Sequence, residues 1–313
     1  MVPDFGKYHA HGNDYLVVDP SRTGLDLGPA TARLLCDRHH GLGADGLVLL
    51  PAAPVPSGRP VPVRLWNPDG SVCERSGNGL RMAALHLVEH GGQPAEVVLR
   101  TAAGDSLVQV LDPDVATVRI GLGRPSFAAA DVPVLGVTGP AVQVPFQAAG
   151  RELTVTCLHN GGPHAVVPLD AVSPELAAEL GPALATHPRF PDRTNVELVR
   201  VLDRGTVEVE AWERGAGYTS SSGSGAAAAV AAAAELGLVA GRVQVQMPGG
   251  AVDVTIAAGE IVLCGPVEQV AVGDFGPALR RRLGLPPGRD GRPPGVAVAG
   301  AAGRPVATGG GSR

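Results

Sequence analysis

Short runs that are either apolar or alternate in polarity recur along this chain, separated by longer stretches with helical spacing. Strand signals fall at 15–19 (YLVVD), 47–50, 61–66 (VPVRLW), 96–100, 106–110, 117–120, 153–157, 165–168, 195–201, 206–212, 242–247 and 252–256. Helical spacing predicts helices over 29–38, 79–90, 174–184, 225–236 and 277–283. Many of the strands are short and several alternate in polarity. The pattern is α+β rather than a run of βαβ units. The segment 51–62 (PAAPVPSGRPVP) reads as a rigid, proline-punctuated loop. From about 285 onward proline and glycine dominate and no amphipathic period survives, which predicts a disordered tail over 286–313.

Two stretches repeat one another. Asn67-Pro-Asp-Gly-Ser-Val-Cys-Glu-Arg-Ser76-Gly77-Asn78-Gly79 leads into the helical run LRMAALHLVEHG. Glu213-Arg-Gly-Ala-Gly-Tyr-Thr-Ser-Ser-Ser222-Gly223-Ser224-Gly225 leads into AAAAVAAAAELG. From 76 to 222 and from 67 to 213 the offset is the same, 146 residues. A weaker echo relates 13–19 to 162–170. The chain therefore reads as two copies of one domain. Glycines let backbone approach a ligand closely, and the exposed N–H groups of a helix start make an anion site. Two S-G-x-G starts related by pseudo-symmetry can face one carboxylate in the cleft between the copies, with a hydroxyl on either side. Taken singly, Ser76 or Ser222 is an ordinary helix N-cap.

Composition narrows the chemistry. The chain has 313 residues, enough for two domains, and a net charge of -5 that suggests neither a nucleic-acid nor an acidic-membrane partner. Among its 25 basic residues only Lys7 is a lysine. Lysine-dependent pyridoxal chemistry and P-loop chemistry therefore have one candidate residue, and Lys7 lies in no P-loop context. No secretory signal pattern opens the sequence, and no apolar run is long enough to span a membrane. Cys36, Cys73, Cys157 and Cys264 form no CxxC pair and no zinc spacing, so no metal site is expected. They read as small buried hydrophobes in a reduced cytoplasm.

These motifs resemble the diaminopimelate epimerase family. KYHAHGNDYLVVD (7–19), CDRHHGLGADGL (36–47), NPDGSVCERSGNGLR (67–81), GGPHAVV, RTNVELV, WERGAGYTSSSGSGAAAA, MPGGAVDV and LCGPVEQV match its signatures in order, from about residue 5 to 275. The resemblance implies two pseudo-symmetric domains, each a bent mixed β-sheet around a central helix. The expected division is 1–123 plus 263–285, and 124–262. The strand near 263–272 would return to the first domain. The resemblance also implies a homodimer, an amino-acid substrate, no cofactor, and inversion at the α-carbon by two thiols on opposite faces.

Residue by residue, Ser76 and Ser222 take the two catalytic positions. Asn13, Asn67, Gly77, Asn78, Asn195, Glu213, Arg214, Gly223 and Ser224 match the substrate-binding positions. Arg214 offers a carboxylate clamp and Glu213 an ammonium acceptor. Both catalytic positions are cysteine in the family and serine here. A thiol titrates near ~8.5 and a hydroxyl nearer roughly 15.7, a difference on the order of 7–10 kcal/mol in forming the base. Each hydroxyl would need an activating group, for which His11, His40, His164, Asp14, Asp45 and Glu74 are candidates. Gly162 stands where the family usually has asparagine, and Tyr218 where it usually has glutamate. His164, Tyr218 and His11 are accessory candidates. Three functions follow: an epimerase or racemase working through the serines; a repurposed isomerase, cyclase or lyase in which a histidine or carboxylate is the base; or a non-catalytic amino-acid binder.

Overall fold

The computed structural model describes residues 3–20, 24–25, 28–112, 116–287 and 297–298. Its connectivity repeats. In the first half, strands Phe5–Ala10 and Asn13–Val18 form a hairpin. Gly46–Leu49 then pairs parallel to the second strand, Arg64–Trp66 pairs antiparallel to that, and Val72–Cys73 antiparallel again. The second half follows the same order. Arg151–His159 and Pro163–Pro168 form the hairpin, Asn195–Asp203 pairs parallel, and Thr206–Glu213 and Gly217–Thr219 pair antiparallel in turn. Each half then enters a helix and leaves it into a three-stranded meander. The first meander comprises Glu96–Thr101, Gly104–Asp112 and Thr117–Gly123. The second comprises Arg242–Met247, Gly250–Ala257 and Glu260–Pro266.

Five helices accompany these strands among the described residues: α1 (Pro29–Cys36), α2 (Gly77–His90), α3 (Pro174–Ala185), α4 (Gly223–Glu235) and α5 (Pro277–Arg282). All five lie within two residues of the spans predicted from periodicity.

The halves are stitched together by strand exchange. Val144–Ala148, which follows the first meander, pairs with Arg151–His159 of the second half. Glu268–Gly273, which follows the second meander, pairs with Phe5–Ala10 of the first. Glu260–Pro266 lies between Gly250–Ala257 and Thr117–Gly123, fusing the meanders into one 13-stranded sheet. A 7-stranded sheet holds the first hairpin and its neighbours. The C-terminal return expected near 263–272 is thus two strands with different partners. Of the stretch 286–313, the description covers 286–287 and the strand Ala297–Val298, which pairs with Ala271–Val272. The expectation of a disordered tail otherwise falls outside the described residues.

One core holds both central helices, from Leu80 to Leu87 of α2 and Ala226 to Ala233 of α4. A helix enclosed on all sides needs side chains that let the surrounding sheet approach. Alanine meets that need with the highest helix propensity, which accounts for the nearly all-alanine α4. Separate clusters lie beneath α3, around Phe146, Leu180 and Leu184, and beneath α1, around Leu35, Trp66 and Phe275. Cys36 and Cys157 are buried, as expected, but Cys73 and Cys264 are only half-buried. Among the described residues no helix is long and apolar enough to cross a membrane, and no group of ligating side chains forms a metal cluster.

Candidate active site

Helices α2 and α4 begin at the same cleft with the same geometry. Ser76 caps α2 with φ -133°, ψ 117°, and Ser222 caps α4 with φ -133°, ψ 114°. Each serine Oγ accepts a hydrogen bond from the N–H three residues on, Gly79 or Gly225, at 3.1 Å. The capping explains why both helices start where they do. It also leaves the N–H groups of Gly77 and Asn78, and of Gly223 and Ser224, without helical partners at two converging positive dipole ends. The starts lie close: a side chain at Gly223 would stand 2.9 Å from Asn78 Oδ1, so a larger residue there would displace the Asn78 amide.

Between them lies a cavity of about 780 Å³. Its walls include Asn13, Asn67, Ser76, Gly77, Asn78, Asn195, Glu213, Arg214, Gly223, Ser224, His164 and Tyr218, which the sequence places far apart. Ser222 sits just behind the wall, 2% exposed. His11 is not in the wall. It occupies a left-handed turn (φ 52°), packs on Gly249 and Gly250, and its Nε2 meets the Ala251 carbonyl at 2.9 Å. That packing takes the place of the accessory role considered for it. Tyr218 is at the mouth, but its hydroxyl donates to Glu210 Oε2 at 2.8 Å rather than reaching inward. Asn195 spends its amide on backbone, donating to the Pro163 carbonyl (3.0 Å) and accepting from Arg214 N (2.8 Å).

The activating candidates sort by environment. His40 is exposed and bound to Asp37. Asp14 is held by Lys7 at 3.0 Å and Arg38 at 2.8 Å. Burial opposes ionisation there, but these two cations keep its carboxyl below the ordinary range. Asp45 and Glu74 line the cavity. Burial raises the Asp45 carboxyl, and its neighbour Asp14 adds to the rise. Glu213 lies beside Ser222. Burial raises its carboxyl, the Ser222 hydroxyl pulls it back, and the charge of Glu197 pushes it up again. His164 Nδ1 is 2.8 Å from Glu197 Oε1, and both residues are 1% exposed. Burial raises Glu197 too.

Four participants were not singled out from the sequence. Tyr15 packs against Gly79 at the start of α2. Its burial raises the phenol, and the neighbouring Ser76 hydroxyl pulls it back. Glu197 takes the matching place in the other half, with its Oε1 3.0 Å from where a side chain on Gly225 would stand. An acid inside the apolar run NVELV was the available signal. Arg81 is 0% exposed and has no carboxylate partner among the described residues. It donates to Asn78 Oδ1 (2.7 Å) and the Pro266 carbonyl (3.1 Å), while Asn78 Nδ2 donates to Asn13 Oδ1 (3.1 Å). Arg75 also lines the cavity, donating to Asn160 Oδ1 at 3.2 Å.

Two halves of one topology, facing each other across a cleft with twin helix starts, define the epimerase and racemase class of α+β fold. Solved structures bear this out: a hydroxyproline epimerase from Agrobacterium vitis with bound trans-4-hydroxy-L-proline superposes with a TM-score of 0.63 at 18% identity, covering 85% of this chain and 90% of that one. A Bacillus anthracis phenazine biosynthesis protein of the PhzF family gives 0.59 at 15% identity, with coverage of 86% and 97%. Sequence relationships are narrower. The diaminopimelate epimerase family pattern matches residues 5–128 and 156–270. The diaminopimelate epimerase of Desulforudis audaxviator is 40% identical over 277 residues, covering 87% of this chain and 99% of that protein. Diaminopimelate epimerase 2 of a Nostoc species is 39% identical over 246 residues, with coverage of 79% and 86%. The chain belongs to the diaminopimelate epimerase family.

Proposed function

We propose that this protein is a cofactor-independent isomerase that removes and returns the α-proton of an amino acid, with diaminopimelate or a related amino acid as substrate. The observation that carries this reading is the pair of superimposable serine caps opening onto one cavity. The α-carboxylate binds the four free N–H groups of the twin helix starts, which places the α-carbon between Ser76 and Ser222. Charge that leaves the C–H bond spreads into the carboxylate as an enediolate, where helix dipoles and the buried Arg81 cation stabilise it.

The proton leaves toward the second half. Glu213, its carboxyl raised by burial, takes it directly or through Ser222. The opposite face is supplied by the Ser76 hydroxyl backed by the Tyr15 phenol, a pair that donates at neutral pH but accepts poorly. Exchange with water then restores both sides. Incubation with LL-diaminopimelate and a panel of L-amino acids in deuterated water, followed by NMR, tests the reading. Deuterium at the α-carbon is expected, and its absence across the panel overturns it.

A second reading follows from the unequal partners of the two serines. With Glu213 as the base beside Ser222 and a phenol beside Ser76, one carboxylate both takes and returns the proton, as in a proton-shifting isomerase or lyase. Deuterium incorporation with retention of configuration, or a product other than the epimer, selects this reading over inversion.

A further inference from the structure

Four polar side chains at the start of α2 form one line of hydrogen bonds, and its two ends fix its direction. Arg81, 0% exposed, donates from Nη2 to Asn78 Oδ1 at 2.7 Å. Asn78 Nδ2 donates to Asn13 Oδ1 at 3.1 Å, and Asn13 Nδ2 donates to Asp45 Oδ2 at 3.4 Å. An amide taken alone fits such a gap either way round. Here a guanidinium, which can only donate, stands at one end. At the other end stands Asp45, whose side chain also accepts from Arg38 Nη2 at 2.7 Å and from Asp14 N at 3.2 Å, so every neighbour treats it as an acceptor. Turning either amide over would set donor against donor and oxygen against oxygen. Asp45 is itself held in place: its N–H donates to Asp14 Oδ1 at 3.1 Å, and Asp14 is bound at 3.0 Å by Lys7, the single lysine of the chain. The second half has no such line, because the offset of 146 puts Ser224 where Asn78 stands and Ala227 where Arg81 stands.

Asn13, Asp45 and Asn78 all line the cleft. With both amide oxygens turned along the line, each amide nitrogen keeps one N–H without a partner among the described residues. Resting on the reading above, we infer that Asp45 is a positioning residue: by fixing the direction of the Asn13 and Asn78 amides, it offers their N–H groups rather than their oxygens to an anionic ligand at the α2 start. Donors beside the backbone N–H groups of Gly77 and Asn78 extend the cradle for a carboxylate and for the charge that develops on it. The charge of Asp45 acts the other way, since a carboxylate in the cleft wall repels an anion. Loss of the positioning and loss of the charge therefore change anion binding in opposite directions.

The test compares Asp45→Ala and Asp45→Asn with the wild type. Both variants lose the charge, but only Asp45→Asn keeps an oxygen for the Asn13 amide. Binding of LL-diaminopimelate is read by calorimetry and turnover by α-proton exchange. The side-chain amide resonances of Asn13 and Asn78 are followed by NMR in the isotope-labelled, ligand-free protein. Asp45→Ala is expected to weaken binding and slow exchange by about tenfold, and Asp45→Asn to stay within about threefold of the wild type. In Asp45→Ala both amide resonances should shift, including that of Asn78, which is linked to residue 45 through Asn13. Tighter binding by the same factor in both variants means that Asp45 acts by its charge alone and overturns the assignment, as does an Asn78 resonance that Asp45→Ala leaves in place. A wild type that neither binds nor exchanges diaminopimelate or the L-amino acids removes the isomerase reading instead, and the Asn78 resonance then decides the assignment on its own.

Discussion

The two half-sites share backbone to within a few degrees and differ in what lies under each helix start. In the first half the space against Gly79 holds Tyr15, a phenol. In the second the matching space against Gly225 holds Glu197, a carboxylate bound to His164. Ser76 has the phenol beside it, and Ser222 has Glu213. Duplication copied the anion cradle, which is made of backbone, while the acid–base groups diverged. A cradle for one symmetric carboxylate needs two equal helix starts. Moving a proton needs an acceptor on at least one side, and it is Ser222 that has a raised carboxyl, Glu213, beside its hydroxyl, where Ser76 has the Tyr15 phenol.

The largest test of this asymmetry is Glu213→Gln against Tyr15→Phe. The first is expected to lower α-proton exchange by about 10³-fold, and the second by tenfold or less. Equal losses would erase the distinction. Restoring thiols one at a time comes next. Ser76→Cys gives the first half a base it lacks and is expected to raise exchange by about 10²-fold, more than Ser222→Cys, which already has Glu213 nearby. A larger gain at Ser222 would reverse the assignment of donor and acceptor sides.

The central helices differ too. Where α2 carries His86, α4 carries Ala232. Burial, and then the neighbouring His90, lowers the His86 imidazole to about 3. The folded protein therefore binds fewer protons there than the unfolded chain. The stability this neutral ring allows is present above about 6.5 and is lost as pH falls toward 3. Between pH 6.5 and 5 the loss is about 2 kcal/mol, read by denaturant titration, and His86→Gln should remove most of it. A smaller effect is expected from Glu197→Gln. Removing its charge lets Glu213 ionise more easily, so the acidic limb of the pH–rate profile moves down by about one unit or less. An upward shift would mean that Glu197 acts on Glu213 through His164 rather than by its own charge.

Much of this arrangement was legible in the residues. The S-G-x-G repeat, its offset of 146 and the apolar runs after it located both central helices, their caps and the cradle. These are local features, set by capping and by 3.6-residue spacing. The strand-rich remainder was less legible. Strands Phe5–Ala10, Val144–Ala148 and Gly217–Thr219 were not anticipated, because FGKYHA, VPFQA and GYT are too short or too mixed to show a period of two. His11, Tyr15 and Glu197 show the same limit at the site. Alternation tells which face of a strand is buried, but not which neighbour waits there.

The sequence alone therefore determined that the chain is a doubled α+β unit, that two serine-capped helices begin at matching positions of its halves, and that lysine chemistry has little room. Only the tertiary structure decided which groups attend each serine, that Arg81 lies buried without a carboxylate partner among the described residues, and that Arg75 overlies Gly161. Caps and helical periods are written within one turn of chain. Partnership across a cleft depends on strands more than a hundred residues apart, and on the small residues that let one side chain rather than another fill the gap.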